Sequence, residues 1–552
     1  MKSVVRRLAR RLARRKEPYG VEVVEHTLPA RLDAGETYGV RATLRNTGSM
    51  TWRRQGDGEQ HPVDLFVLVD DELYQKVPLP HDHVPPRRET TWHFAFRIAR
   101  AGRHRVRLEL VHHLQAWFAD RGAAGVAWDV LVETRPGDRT SVALERSLAR
   151  NVWHFQPTSS IRRLRDGSVM PLFVAKAKGC RVWDPEGHEF LDYTMGWGST
   201  ILGYADDRIQ QAIAERLATA PLTPFPDPLE MEVSEMIAED FPSAEMVLFG
   251  KNGSDACTVA ARLARATTGR RQILSCGFHG WQDFCVEPSG DFHRFRFNDG
   301  PGFKALHERH RTDLAAIMIE PAGPFAGPDN GPCGDADADF LGLLAQCAHD
   351  AGALLVFDEI ITGYRYRQHS VQRATGIIPD LTCLGKALAS GMPLAAVAGR
   401  SRIFFDGFAR THYCPTFKAE IYSLAAARKA IEIYRAEPIA DHIWRTGARL
   451  IAGIDTMCAE LGVRARCRGP AFRFGLVFDA RDPVIRRLSR TLYMQELLRQ
   501  AVVTVTGVML PSYAHTEEDV DLTLRRVRLA LSVVAAATRD GDFNARIEIP
   551  LL

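Results

Sequence analysis

The sequence predicts two fold classes in one chain: an all-β sandwich first, then a larger α/β domain on a mainly parallel sheet. Three observations carry this. Between residues 19 and 135, short apolar and aromatic runs recur, separated by turn-forming residues. From about residue 165, short apolar runs alternate with helical stretches, as when parallel strands are joined by helical crossovers. Residues with chemical function then sit where those later runs end, the place at which an α/β sheet holds its ligands.

Composition narrows the class further. The chain has 552 residues, 45% hydrophobic and 25% charged, which is globular usage and excludes a disordered, collagen-like or coiled-coil protein. No apolar window of about 20 residues is present, so no transmembrane helix is expected. The net charge of +4 is unevenly spread. Residues 1–16, MKSVVRRLARRLARRK, carry eight basic residues and no acid, so the other 536 residues sum to −4. The body is mildly acidic, and no nucleic-acid partner is expected.

The first element, residues 1–18, is a basic amphipathic arm. On a helical wheel Arg6, Arg7, Arg10, Arg11, Arg14 and Arg15 fill one half, and Val4, Val5, Leu8, Ala9, Leu12 and Ala13 the other. Such a helix suits peripheral contact with an anionic membrane, at the inner surface of the cell, or with a partner. The competing readings are a solvated tail, because so short a helix barely holds alone, and an organelle transit segment. Ten cysteines lie between Cys180 and Cys467 with no C-x-x-C pair, which points to a reducing, cytoplasmic compartment and to no metal site.

Residues 19–135 are expected to form the sandwich, with strands at 21–28, 38–44, 63–69, 73–79, 90–98, 106–111 and 126–132. Trp52, Trp92, Trp117 and Trp128 are expected in its core. The stretch Arg45-Asn46-Thr47-Gly48…Thr51-Trp52 resembles bacterial immunoglobulin-like domains. No catalytic cluster stands out here, so an accessory or interaction module is expected. Residues 136–160, with Pro136-Gly137, read as a linker and a leading helix.

Four segments of the α/β part carry chemistry. In Met246-Val247-Leu248-Phe249-Gly250-Lys251-Asn252-Gly253-Ser254-Asp255-Ala256 a strand turns into a helix whose first amides and Ser254 suit a phosphate; alone, Ser254 reads equally as a helix cap. In Ile273-Leu274-Ser275-Cys276-Gly277-Phe278-His279-Gly280-Trp281 a strand ends in aromatics, and Phe278 can cover a flat ring while His279 lines the same pocket. In Ala353-Leu354-Leu355-Val356-Phe357-Asp358-Glu359-Ile360 a buried strand ends in two acids, which need a cation or several hydrogen bonds. In Leu384-Gly385-Lys386-Ala387-Leu388-Ala389-Ser390-Gly391-Met392-Pro393 a single lysine either snorkels to solvent or serves as a Schiff-base nucleophile.

In that order the segments resemble the class III aminotransferases that depend on pyridoxal phosphate, and most closely their glutamate-1-semialdehyde aminomutase branch. Asp-Glu-Ile-Ile-Thr-Gly-Tyr-Arg (358–365) and Leu-Gly-Lys-Ala-Leu-Ala-Ser-Gly-Met-Pro (384–393) are its most specific motifs. Tyr193-Thr194-Met195-Gly196-Trp197-Gly198 and Ala514-His515-Thr516-Glu517-Glu518-Asp519 support it near the ends. The resemblance implies fold type I over residues 161–540, with a large cofactor-binding part at about 205–435, a small subdomain from 161–204 and 436–540, and a tail at 541–552. It implies that Lys386 carries the cofactor and shuttles a proton, and that Asp358 pairs with the pyridine nitrogen. Ile360, two residues further along the strand, and Phe278 would cover the two ring faces, while Gly253 and Ser254 hold the phosphate. Thr416 would reach the phosphate of a second subunit, so a homodimer with shared active sites is implied. Trp197 and Arg365 would lie near the substrate. Thr516 with Asp519 reads as a helix cap.

Departures from the family pattern bear on activity more than on cofactor. Pro324 stands where the aminomutases carry an Asn that bonds the cofactor hydroxyl, and Phe417-Lys418-Ala419-Glu420 follows Thr416 in place of a small-residue run. The leading expectation is therefore transfer of an amino group from a small-molecule donor to a ketone or aldehyde acceptor. Intramolecular amino transfer is the alternative, and an inactive scaffold is the contrasting non-enzyme reading.

Overall fold

The computed structural model describes residues 19–549, apart from 34–36, 55–61, 99–101, 113–115, 122, 124, 134–163, 165–172, 220–224, 287–289, 325–332 and 419. The basic arm and the linker with its leading helix lie outside the described residues.

All seven runs expected in the first domain are strands. One sheet pairs Tyr38–Asn46 antiparallel with Val21–His26 on one side and Glu89–Phe96 on the other. The second runs Arg31–Asp33, Val126–Glu133, Gly102–His112, Val63–Val69, Glu72–Pro78. Val40, Ala42 and Leu44 of the first sheet share one buried cluster with Leu65, Val67, Val106 and Leu108 of the second. These positions alternate along their strands, so each sheet turns every second residue inward. Trp52 and Trp92 are fully buried in that core, while Trp117 and Trp128 are only half-buried. The Trp92 indole N–H donates to the Pro78 carbonyl at 3.1 Å, which satisfies its one polar atom.

The large sheet of the second domain has seven strands. Across it lie Met246–Gly250, Ala395–Gly399, Leu381–Leu384, Leu354–Asp358, Leu314–Ile319, Gln272–Cys276 and Phe292–Arg294. Every pairing is parallel except the two made by Ala395–Gly399. Leu314–Ile319 and Leu354–Asp358 are buried along their whole length, which explains why they read as unbroken apolar runs. The two-residue alternation splits each of them between two cores. Ile317, Ile319, Leu355 and Phe357 pack with Phe241, Phe303 and Leu344 on one face. Ala316, Met318, Leu354 and Val356 pack on the other against Cys257, Ala260, Leu263 and Ala264 of the helix Gly253–Thr268. By the same alternation Asp358 faces that helix.

A further core is built from the helices Ile439–Glu460, Pro483–Arg499 and Glu517–Asp540 with short strands, among them Glu189–Asp192 and Phe474–Phe478. Thr516 and Asp519 form a reciprocal capping box at the last of these helices, as the sequence suggested. Of the tail at 541–552, residues 541–549 are described. They form the short helix Phe543–Arg546, and Ile549 is fully buried with Leu164 and Leu498. Asn544 ties this segment to the sandwich: its Oδ1 bonds His93 Nε2 at 3.2 Å, and Arg41 donates to its carbonyl. A buried apolar anchor plus side-chain bonds hold the segment in place, which the polar sequence around Asp540-Gly541-Asp542 concealed. No helix among the described residues is long and apolar enough to cross a membrane.

Candidate active site

The phosphate-binding candidate is the turn between Met246–Gly250 and the sixteen-residue helix Gly253–Thr268. Asn252 is the cap: its side chain accepts the Asp255 N–H at 3.0 Å, and the Asp255 carboxylate accepts the Asn252 N–H at 3.3 Å. Ser254 is thus released from capping, and its side chain is buried in the first helical turn. Gly280, with φ +107°, lies against it so closely that a Cβ there would stand 2.3 Å from Ser254 Oγ and 2.9 Å from Ser254 Cα. Gly280→Ala is therefore expected to destabilise the apoprotein by about 1–3 kcal/mol and to weaken pyridoxal phosphate binding about tenfold or more, read by denaturant melts and cofactor titration. Wild-type values in both would show that the close approach of Gly280 to Ser254 does not matter for binding.

The acid lies one helical turn away. Asp358 is buried, and its Oδ2 meets His279 Nδ1 at 2.7 Å and Cys257 Sγ at 3.3 Å. Its Oδ1 accepts the Ile360 N–H at 3.1 Å. Burial opposes a charge on His279, but the bonds to Asp358 and Cys257 outweigh it and raise the imidazole pKa well above its usual value. The sequence places Ile360 on the strand, but the strand stops at Asp358: the Ile360 N–H turns back onto the Asp358 carboxylate and the Thr362 hydroxyl onto Glu359. In this turn Ile360 packs between two glycines, 2.7 Å from a Cβ built on Gly253 and 3.4 Å from one built on Gly385. That contact brings the helix start, the acid's turn and the lysine loop together.

Lys386 follows the buried strand Leu381–Leu384 and an extended Gly385. It sits at φ +46°, a left-handed conformation that is uncommon for a residue with a side chain. The Tyr434 hydroxyl donates to the next carbonyl, Ala387 O, at 2.7 Å and fixes the loop. Burial, and after it the Arg473 guanidinium, lower the Lys386 pKa from 10.5 to about 8. A lysine in that state is a nucleophile near neutral pH.

A family model for the class-III aminotransferases matches residues 164–530. This chain is a class-III aminotransferase. It is 31% identical over 380 residues to a 3-aminobutyryl-CoA aminotransferase of Cloacimonas acidaminovorans, covering 66% of this chain and 90% of that protein. It is 30% identical over 426 residues to a glutamate-1-semialdehyde 2,1-aminomutase of Akkermansia muciniphila, covering 70% of this chain and 97% of that one. Among solved structures, the FumI protein of Sphingopyxis sp. MTA144, with pyridoxal phosphate, superposes with a TM-score of 0.64 at 27% identity, covering 72% of this chain and 96% of that one. An omega-transaminase of Sphaerobacter thermophilus has the same fold, with a TM-score of 0.63, 24% identity, and 73% and 99% of the two chains covered. The class-III aminotransferase therefore uses pyridoxal phosphate and moves an amino group from a donor to a carbonyl acceptor.

The remaining expected residues of this class-III aminotransferase fall in different places. Arg365 is buried, and its Nη groups donate to Ile361 O at 2.7 Å and Gly198 O at 2.5 Å. Two of its donors thus brace the Ile361 and Gly198 carbonyls, while its buried Nε has no hydrogen-bond partner among the described residues. Trp197, on that turn, is 62% exposed, and Phe278 is 60% exposed. Thr416 lies on an exposed turn. Two residues were missed. Glu320, at the end of the strand Leu314–Ile319, and Arg473 form a buried ion pair at 2.9 Å. An acid ending an apolar run was a visible signal for Glu320; Arg473 carried none.

Proposed function

We propose that the cofactor phosphate is held by Gly253, Ser254 and the first amides of their helix, the ring between Phe278 and Ile360, the pyridine nitrogen by Asp358, and the aldehyde carbon by Lys386. The observation that carries this is the Ile360 contact, which gathers Gly253, Asp358 and Gly385 around one pocket. The donor set fits the group: a hydroxyl at a helix N-terminus for a dianion, a buried carboxylate for a ring N–H, and a lysine that is about half neutral at pH 8. When bound, pyridoxal phosphate supplies the electron sink for the carbanion formed at the substrate carbon.

The chain's own residues supply the rest. Lys386 Nζ would hold the cofactor's aldehyde carbon and, once freed by a substrate amine, would be the group placed to take up and return the proton of the substrate carbon. Asp358, backed by His279 and Cys257, keeps a proton on the ring nitrogen. Phe278 and Ile360 fix the ring plane, which aligns the bond to be broken.

The enzyme works as a homodimer in the cytoplasm, with Thr416 of each subunit serving the other's phosphate. The exposure of Thr416, Phe417 and Phe278 supports the first part, and ten free thiols the second. The sandwich is an immunoglobulin-like accessory module, and the basic arm contacts an anionic surface or partner.

Transfer between two molecules is preferred over intramolecular transfer because Pro324 offers no N–H where an aminomutase places an Asn. With the holoenzyme and single amino donors, the pyridoxamine spectrum is expected to form as a keto acid is released. Absence of keto acid with every donor, together with isomerisation of glutamate 1-semialdehyde, would establish the mutase instead.

A further inference from the structure

We propose that the buried Arg473–Glu320 pair is a positioning device for this reaction: Glu320 anchors the backbone of the ring-cover residue Phe278, Arg473 locks Glu320, and together they set the charge around Lys386. This rests on the roles proposed above for Lys386 and Phe278.

The geometry forms a chain. Glu320 Oε2 accepts the Phe278 N–H at 2.9 Å, and Arg473 Nη1 donates to Glu320 Oε1 at 2.9 Å. The backbone before Phe278 is pressed onto the same carboxylate: a Cβ on Gly277, at φ +121°, would lie 2.7 Å from Glu320 Oε2. Arg473 is held in turn. Its N–H donates to Pro470 O at 2.8 Å, and the Pro470 ring would meet a Cβ on Gly323 at 2.9 Å. Ala471 O lies so near helix Ile439–Glu460 that a Cβ on Gly447 would overlap it at 1.8 Å. Thus the loop at 470–473 is wedged between that helix and the 320–323 turn.

A buried ion pair is poor value as a stabiliser, since desolvation cancels much of its attraction. This one has further work in reach. Among the charges that act on Lys386, Arg473 and Arg365 disfavour its cation, and Glu320 and Asp358 favour it. Arg473 has the largest effect of the four charges. Removing either member of the pair therefore moves Lys386 in opposite directions, whereas mere structural damage moves it in one.

The test is a pH titration of the visible cofactor band in the full-length holoenzyme. Arg473→Met is expected to move the midpoint up, and Glu320→Gln to move it down, each by about one pH unit. Arg473→Lys keeps the cation and should stay at the wild-type midpoint. The double variant Glu320→Leu/Arg473→Met leaves no unpaired charge, which protects the fold if a single variant fails. It also leaves the Phe278 N–H without its acceptor, so the visible circular dichroism of the ring should fall. Shifts of the same sign in the two single variants, no shift in either, or an unchanged dichroism in the double variant would overturn the proposal. Borohydride trapping at Lys386 separates the two readings: its loss in the wild type would remove the Lys386 assignment, whereas its retention beside unmoved midpoints would remove only the role of the pair.

Discussion

Lys386→Ala is expected to lower turnover by about 10⁴-fold or more and to abolish the borohydride-stable adduct of the cofactor with the chain. Both effects follow from the two duties proposed for this side chain, covalent attachment and proton transfer. The surroundings of Lys386 prepare it for them. An ordinary lysine with a pKa of 10.5 is neutral in roughly one molecule in 300 at pH 8. Burial and Arg473 bring the value to about 8, so about half the amines are nucleophilic there. In the apoprotein, the rate of cofactor attachment should accordingly rise with pH through about 8 and flatten above it; a midpoint near 10 would contradict the burial argument. The sign for stability is the same. The folded value lies below the unfolded one, so the unfolded chain binds the extra proton and stability rises as pH climbs from about 8 toward 10.5. A Lys386→Ala protein that kept full turnover would end the assignment.

What the sequence made legible depended on how local the physical cause is. Asp358 stood out because a strand buried on both faces reads as an apolar run, and an acid ending such a run must be compensated. The sandwich strands were visible because apolar and aromatic runs recur between turn-forming residues. Ser254 could not be separated from a cap until Asn252 was seen to take that duty through Asp255. Ile360 was placed on a strand because apolar character alone does not say where a strand stops. The burial of Arg365 was not legible either, because a single sequence does not show that its Nη groups reach the carbonyls of Gly198 and Ile361. Glu320 and Arg473 are 153 residues apart and meet only through tertiary packing, so no local pattern joined them.

Asp358→Asn should still bind pyridoxal phosphate and yet lose turnover on the order of 10³-fold. Binding is expected to persist because the contacts proposed for Gly253, Ser254 and Lys386 are untouched. Turnover falls because a neutral amide cannot hold a proton on the pyridine nitrogen, and without that charge the ring withdraws fewer electrons from the substrate carbon. His279 gives an independent readout. Its raised pKa arises from the 2.7 Å bond to the Asp358 carboxylate overcoming burial. With asparagine at 358 burial prevails, and the imidazole pKa should drop below its usual 6.5. Nitrogen NMR of His279 should therefore report a cation at pH 7.5 in the wild type and a neutral ring in the variant. The stability contributed by this imidazolium, present at low pH and lost as pH rises through its raised folded value, should vanish with it. Near-normal turnover in Asp358→Asn would contradict the electron-sink role. An unchanged His279 would instead show that Cys257 alone sustains its charge.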